Sequence, residues 1–142
     1  METVATANHH GFHGFGIVQR TPQNGNAMTA RPLVTIIVSV YNVASYLDTC
    51  LTSLVGQTYT NLEIILIDDG SSDTSPKICD AWANTDKRIT SLHQQNQGVS
   101  AARNTGLDHA HGTYYAFVDG DDYVELNYIE SMVARITADG TD

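Results

Sequence analysis

The chain has 142 residues, enough for one domain with a proper core. Apolar residues make up 42%, and 7 basic against 16 acidic side chains leave a formal net charge of −9. An acidic surface repels phosphate backbones and anionic lipid, which argues against nucleic-acid binding and peripheral membrane attachment. The carboxylates are unevenly spread, and two short clusters, Asp68/Asp69/Asp73 and Asp119/Asp121/Asp122, call for a cation or a hydroxyl-rich ligand. Cys50 and Cys79 form no CxxC pair, and both fall in helical patterns as small, buried, reduced residues. Neither a basic n-region nor an apolar h-region opens the chain, and the apolar run around Ile36–Val38 is too short to span a bilayer. A cytoplasmic domain is the expectation, with the inner face of the membrane as the alternative place for a full-length protein.

In chain order, Met1 to Arg31 reads as a flexible tail, because it sustains neither a period of two nor one of 3.6. Its Gly11-Phe12-His13-Gly14-Phe15-Gly16 string has no strand before it and no helix after it. His9, His10 and His13 would bear the ordering entropy of a metal site alone, so they read as solvated. From Pro32 the pattern changes. Leu33 to Val40 is a β-branched, nearly continuous apolar run, as expected of a strand buried on both faces. A helix follows, with Ser45 as its N-cap and Leu47, Leu51, Leu54 and Val55 on one face, ending at Gly56. Leu62 to Ile67 is a second buried strand, closing on Asp68-Asp69-Gly70. A helix from Ser75-Pro76 to about Ala83 has proline in its favoured first position. Ile89 to His93 is a weak third strand, Gly98 opens a third helix through Leu107, and Tyr114 to Val118 is a fourth strand. A last helix carries Leu126, Ile129, Met132, Val133 and Ile136 on one stripe, and residues 139–142 read as a disordered end.

The order βαβαβαβα with short loops predicts an α/β fold: a mostly parallel, Rossmann-like sheet with helices on both faces, spanning residues 32–138. Ligands of such sheets bind beyond the carboxyl ends of the strands. Tyr41-Asn42, Asp68-Asp69 and Asp119 to Asp122 all fall there. A nicotinamide site is disfavoured, because the turn after the first strand, Val40-Tyr41-Asn42-Val43, lacks the glycines that let backbone amides cradle a pyrophosphate. Asp119, Asp121 and Asp122 instead offer hard oxygen ligands to Mg²⁺ or Mn²⁺, and a divalent ion shared with a diphosphate would neutralise it. Without an ion the same residues would be a solvated acidic turn or a helix cap. A calcium loop counted from Asp119 fails, since Tyr123 and Val124 stand where a ligand and the turn glycine belong. A receiver domain fails too, for want of an acidic pair after the first strand.

From Pro32 to about Ile136 the chain resembles the donor domain of family 2 glycosyltransferases, whose nucleotide-binding fold is called GT-A. The resemblance rests on five motifs in the family's order: Val34 to Asn42, Leu54 to Tyr59, Glu63 to Asp73, Asn96 to Gly106, and Phe117 to Asp122. It implies a nucleotide pocket lined by Ser39 and Tyr41, with Asp69 accepting a hydrogen bond from the uracil N3–H or its equivalent in another base. Asp68 is then a turn holder. Asn96 and Arg103 would approach the base and diphosphate, although Arg103 also fits a strand-end ion pair. Asp119 and Asp121 form the DxD meeting ribose and metal, with Asp121 and Asp122 as the metal pair. Ser39 departs from the family, which usually carries proline there.

The implied function is inverting, metal-dependent transfer of a sugar from a nucleoside diphosphate-sugar, UDP-sugar foremost, to an acceptor hydroxyl on a carbohydrate or lipid-linked molecule. The alternative is a nucleotide-sugar-binding module that does no chemistry. The family's general base lies beyond the DxD, and Glu125 and Glu130, both expected on the last helix and exposed, do not replace it. This chain by itself is therefore expected to bind nucleotide weakly, to transfer no sugar, and to self-associate through an uncovered edge of the Tyr114–Val118 strand.

Overall fold

The computed structural model describes residues 16–19 and 31–138, together with the backbone of residues 4–6. The elements are β1 (Val4–Thr6), β2 (Gly16–Gln19), β3 (Val34–Val40), α1 (Ala44–Val55), β4 (Leu62–Asp69), α2 (Ser75–Thr85), β5 (Ile89–Gln94), α3 (Val99–His109), β6 (Tyr114–Asp119) and α4 (Tyr128–Ala138). They build one six-stranded sheet in the order β1-β2-β6-β3-β4-β5. Strands β6, β3, β4 and β5 run parallel, and β2 joins β6 antiparallel. The expected α/β architecture with a mostly parallel sheet is the one observed.

The apolar runs of β3 and β4 divide by the two-residue period of a strand. Ile36, Val38, Ile64 and Leu66 pack into one cluster with Leu47, Leu51 and Leu54 of α1, Cys79 of α2, and Met132 and Ile136 of α4. Ile37, Ile65 and Ile67 pack on the opposite face with Ala102 of α3 and Ala110. Both faces are thus covered, which is why these strands lack an apolar-polar alternation. No helix among the described residues is long and apolar enough to cross a membrane.

Several expectations require correction. Within Met1–Arg31, residues 4–6 and 16–19 are strands rather than tail, and Ile17 is fully buried in the larger core cluster. Four residues are too short to register as a period, and β2 is specified instead by the β6 ladder, with Ile17 opposite Ala116 and Val18 opposite Tyr115. The edge of β6 is consequently paired over Tyr114–Ala116, so that part of the expected uncovered edge is covered. His9, His10, His13 and residues 139–142 lie outside the described residues. Helix α1 begins at Ala44, so Ser45 is not its cap. Val43 holds that position without a side-chain bond of its own, and Leu126 is exposed ahead of α4 rather than part of its buried stripe. Glu125 likewise precedes α4, and Glu130 is half-buried, paired with Arg31 at 3.3 Å. Cys50 and Cys79 are buried and free, as expected.

The motif residue Gln57 finds its role here. It is buried, donates through Nε2 to the carbonyls of Ser53 (3.0 Å) and Glu125 (2.6 Å), and accepts at Oε1 from the Ile129 amide (3.0 Å). Its amide group therefore ties the segment after β6 to the end of α1. Nearby, the Tyr59 hydroxyl donates to the Pro32 carbonyl, anchoring the entry to β3.

Candidate functional site

Three chain segments leave the carboxyl ends of neighbouring strands and interlock. After β3, Asn42 adopts a left-handed conformation (φ 52°), and its Oδ1 accepts from the Ser72 amide at 2.8 Å and from the Asp73 amide at 3.3 Å. In return, Asp73 Oδ2 accepts from the Ala44 amide (3.1 Å), and Ser75 Oγ accepts from the Val43 amide (3.1 Å). Orphan amides at the start of α1 are thus satisfied by residues about thirty positions away. No local sequence pattern could have identified that cap.

Behind this turn lie the adjacent carboxylates of β4. Asp68 Oδ1 accepts from the Ser71 amide at 3.0 Å, and Oδ2 meets His93 Nδ1 at 2.9 Å. Asp68 thus holds the turn after β4. His93 also reaches Asp80 of α2 through Nε2 at 2.8 Å, and its hydrogen bonds to these two carboxylates hold the imidazole pKa above its ordinary value. Asp69 is gripped from the other side. Its Oδ1 accepts from Gln94 Nε2 (3.0 Å) and the Gln97 amide (2.9 Å), and its Oδ2 accepts from the Gly98 amide (2.9 Å). Burial pushes the Asp69 pKa up, but these donors outweigh it and hold the carboxyl below the usual carboxylate range. Gly70 is required beside it, because its φ is +76° and a Cβ there would stand 2.6 Å from the Asn96 amide nitrogen.

The third segment follows β6. Gly120 donates to the Ser39 carbonyl (2.9 Å) and Asp122 to the Asp119 carbonyl (2.9 Å), making a tight acidic turn. Asp119 Oδ1 accepts from Ser39 Oγ at 3.0 Å and lies 3.5 Å from Arg103 Nη2. One carboxylate oxygen each from Asp119, Asp121 and Asp122 can be chosen so that all three lie within 4.8 Å of one another. Buried Cys50 of α1 backs this turn, its Sγ 3.7 Å from the Asp119 carbonyl. Burial first, and then the charges of Asp122, Asp121 and Asp119, push its thiol pKa far up and keep it protonated.

Between the three segments opens a cleft of about 420 Å³. Ser39, Tyr41, Asp69, Asn96, Asp119 and Asp121 line it, so the sequence places six of its eight candidate residues at one site. Asp122 sits in the adjoining turn. Arg103 lies behind Asp119, its guanidinium 5.2 Å above the Phe117 ring, so the strand-end ion pair is the arrangement observed. Sequence reasoning missed Gln94, Val43 and Val99. Gln94 escaped because the third strand was ended at His93. One more residue would have set it opposite Asp69, its partner in the parallel register.

The turn after β6 packs three carboxylates that could hold a hard divalent cation beside the cleft, and the turn after β3 lacks the glycine loop of a dinucleotide fold. Residues 35–142 match the family model described as "Glycosyl transferase family 2". The chain belongs to glycosyl transferase family 2. It is 47% identical over 111 residues to the putative glycosyltransferase EpsH of Bacillus subtilis, covering 78% of this chain and 32% of that protein. Among solved structures, it resembles Staphylococcus aureus TarS 1–349 in complex with UDP, with a TM-score of 0.68 and 28% identity over 74% of this chain and 32% of that one. It also resembles the mannosyltransferase PcManGT of Pyrobaculum calidifontis in complex with GDP-Man and Mn²⁺, with a TM-score of 0.62 and 33% identity over 67% of this chain and 29% of that one. The fold is accordingly the GT-A type. This family 2 chain spans well under half the length of the curated relatives it matches.

Proposed function

We propose that this domain binds a nucleoside diphosphate-sugar, UDP-sugar foremost, in the cleft at the carboxyl ends of β3, β4 and β6. In the protein to which it belongs, that sugar passes to an acceptor hydroxyl with inversion at the anomeric carbon. The observation that carries the reading is the convergence of Ser39, Tyr41, Asp69, Asn96, Asp119 and Asp121 on one cleft beside a cluster of three carboxylates. The UDP bound by TarS and the GDP-Man and Mn²⁺ bound by PcManGT support the ligand class.

The residues divide the work as follows. Half-exposed Tyr41 and Val99 give the cleft apolar walls suited to the faces of a base. Asp69 accepts from a donor on the base edge, and Asn96 stands beside it, its Nδ2 donating to the Asp69 carbonyl at 3.1 Å. Asp119, oriented by Ser39 and Arg103, faces the ribose. Alone, the acidic turn repels a diphosphate, and the donor set suits a hard divalent cation. Mn²⁺ or Mg²⁺ held by Asp121 and Asp122 would supply the positive charge that neutralises the diphosphate and stabilises it as a leaving group.

Calorimetric titration of UDP tests this. Binding should require Mn²⁺ or Mg²⁺, vanish in EDTA, and fall at least about ten-fold in Asp121→Ala. Equal affinity for UDP with and without the ion would sink the metal assignment.

A further inference from the structure

The Asp69 carboxylate has about four acceptor positions, two on each oxygen. Three are taken: two on Oδ1, by Gln94 Nε2 and the Gln97 amide, and one on Oδ2, by the Gly98 amide. Asp69 lines the cleft, so one position on Oδ2 remains for a ligand. Which position remains depends on Gln94, and Gln94 is held in turn from α3. Thr105 Oγ1 lies 2.7 Å from Gln94 Oε1 and 3.0 Å from the Ala101 carbonyl. A carboxylate only accepts, so Gln94 must turn its NH₂ to Asp69 and its oxygen to Thr105. Asp69 forbids the flipped orientation, in which Gln94 Oε1 would confront Asp69 Oδ1. The Thr105 hydroxyl, able to donate or accept, meets the allowed one as a donor and holds Gln94 in place. The chain Thr105–Gln94–Asp69 thus crosses from α3 through β5 to β4. The neighbouring pair, His93 and Asp68, connects to α2 instead.

We propose that Gln94 and Thr105 are positioning residues for base recognition: they spend Oδ1 of Asp69 and leave a single acceptor on Oδ2 facing the cleft. One acceptor suits a base edge with one ring N–H, as in uracil. Guanine presents two adjacent donors that ask for both oxygens of a carboxylate, and here Oδ1 is filled. The proposal rests on the nucleotide-site reading above and deepens it.

The test compares UDP, GDP and inorganic pyrophosphate, each with Mn²⁺, by calorimetry on the wild-type chain and on Gln94→Met, Thr105→Val and Thr105→Ser. The wild type should prefer UDP to GDP. Gln94→Met and Thr105→Val should lose about five- to ten-fold in UDP affinity while pyrophosphate affinity stays within about two-fold, and Thr105→Ser should keep wild-type UDP affinity. Parallel loss of UDP and pyrophosphate would mean that the two residues merely hold the fold. Unchanged UDP affinity in both, or a Thr105→Ser variant as weak as Thr105→Val, would overturn the relay. Carbon-13 titration of the Asp69 carboxyl reads the relay without ligand: its pKa should rise in Gln94→Met, and an unmoved value would overturn the proposal. A wild-type chain that binds none of the three probes with Mn²⁺, yet shows that rise, would sink the donor-site reading and the base-recognition role with it, leaving a structural contact.

Discussion

Strand β4 carries a gripped carboxylate at each end, and the one at the carboxyl end, Asp69, opens onto the cleft. At the carboxyl end, Asp69 accepts from Gln94 and from the amides of Gln97 and Gly98. At the amino end, Glu63 Oε1 accepts from Thr35 Oγ1 (2.6 Å) and the His111 amide (2.8 Å), and Oε2 meets His111 Nδ1 at 2.7 Å. Burial pushes both acids up, and in both the hydrogen bonds win and lower the pKa. Each end also has a glycine pressed against backbone. A Cβ on Gly112 would meet the Thr35 nitrogen and the Tyr114 oxygen at 2.7 Å, as one on Gly70 would meet the Asn96 nitrogen at 2.6 Å. The chemistry is alike, but the surroundings differ. By the same count each carboxylate keeps one acceptor position, on Oε2 of Glu63 and on Oδ2 of Asp69. Asp69, however, lines the cleft beyond the strand ends, whereas the partners of Glu63 close a loop onto the sheet. A perturbed carboxylate therefore points to a binding site only where it also lines a cleft.

The largest effects should come from the two glycines. Gly112→Ala and Gly70→Ala should each cost about 3 kcal/mol in chemical unfolding, because the obstructing atoms are backbone and cannot swing aside. Only Gly70→Ala should also abolish UDP binding. Loss of UDP affinity in a folded Gly112→Ala chain would erase the distinction between the two ends.

Next come the carboxylates themselves. Asp69→Asn should weaken UDP by about 1–3 kcal/mol, since the amide NH₂ competes with the Gln97 and Gly98 amides and with the base. Glu63→Gln should lower stability by about 1–2 kcal/mol and leave UDP affinity unchanged. If titration finds nucleotide affinity unchanged in Asp69→Asn, that residue is a loop holder like Glu63.

The smallest effect is the pH dependence. Glu63 and Asp69 have depressed pKa values, so their stabilisation is present above the unfolded carboxylate value and lost as pH falls through the folded one. Glu63→Gln should flatten that acid limb in part. His93 has the opposite sign: its pKa is raised from 6.5, so its contribution is complete below that value and fades as pH rises through the folded value. His93→Gln should remove that alkaline decline, which melting curves between pH 6 and pH 9 would reveal, and an unaltered slope would mean the bridge between Asp68 and Asp80 adds nothing.

What the sequence determined by itself was whatever a short segment can encode. The apolar runs of β3 and β4 declare strands covered on both faces, because burial there is a property of consecutive residues. The spacing of Asp119, Asp121 and Asp122 declares a carboxylate cluster, because four residues of one turn cannot separate far. Gly98 marks the start of α3, which begins at the next residue. Tertiary structure decided what depends on partners distant along the chain. The α1 amides are capped by Asp73 and Ser75, β2 exists because β6 offers it a ladder, and Leu126 leaves its helical stripe because the Gln57 amide bonds hold residues 125–129 against α1. Above all, only the assembled sheet shows which acceptor positions of Asp69 are spent, since its donors come from residues 94–98, and the count of donors around a buried carboxylate is set by packing rather than by local pattern.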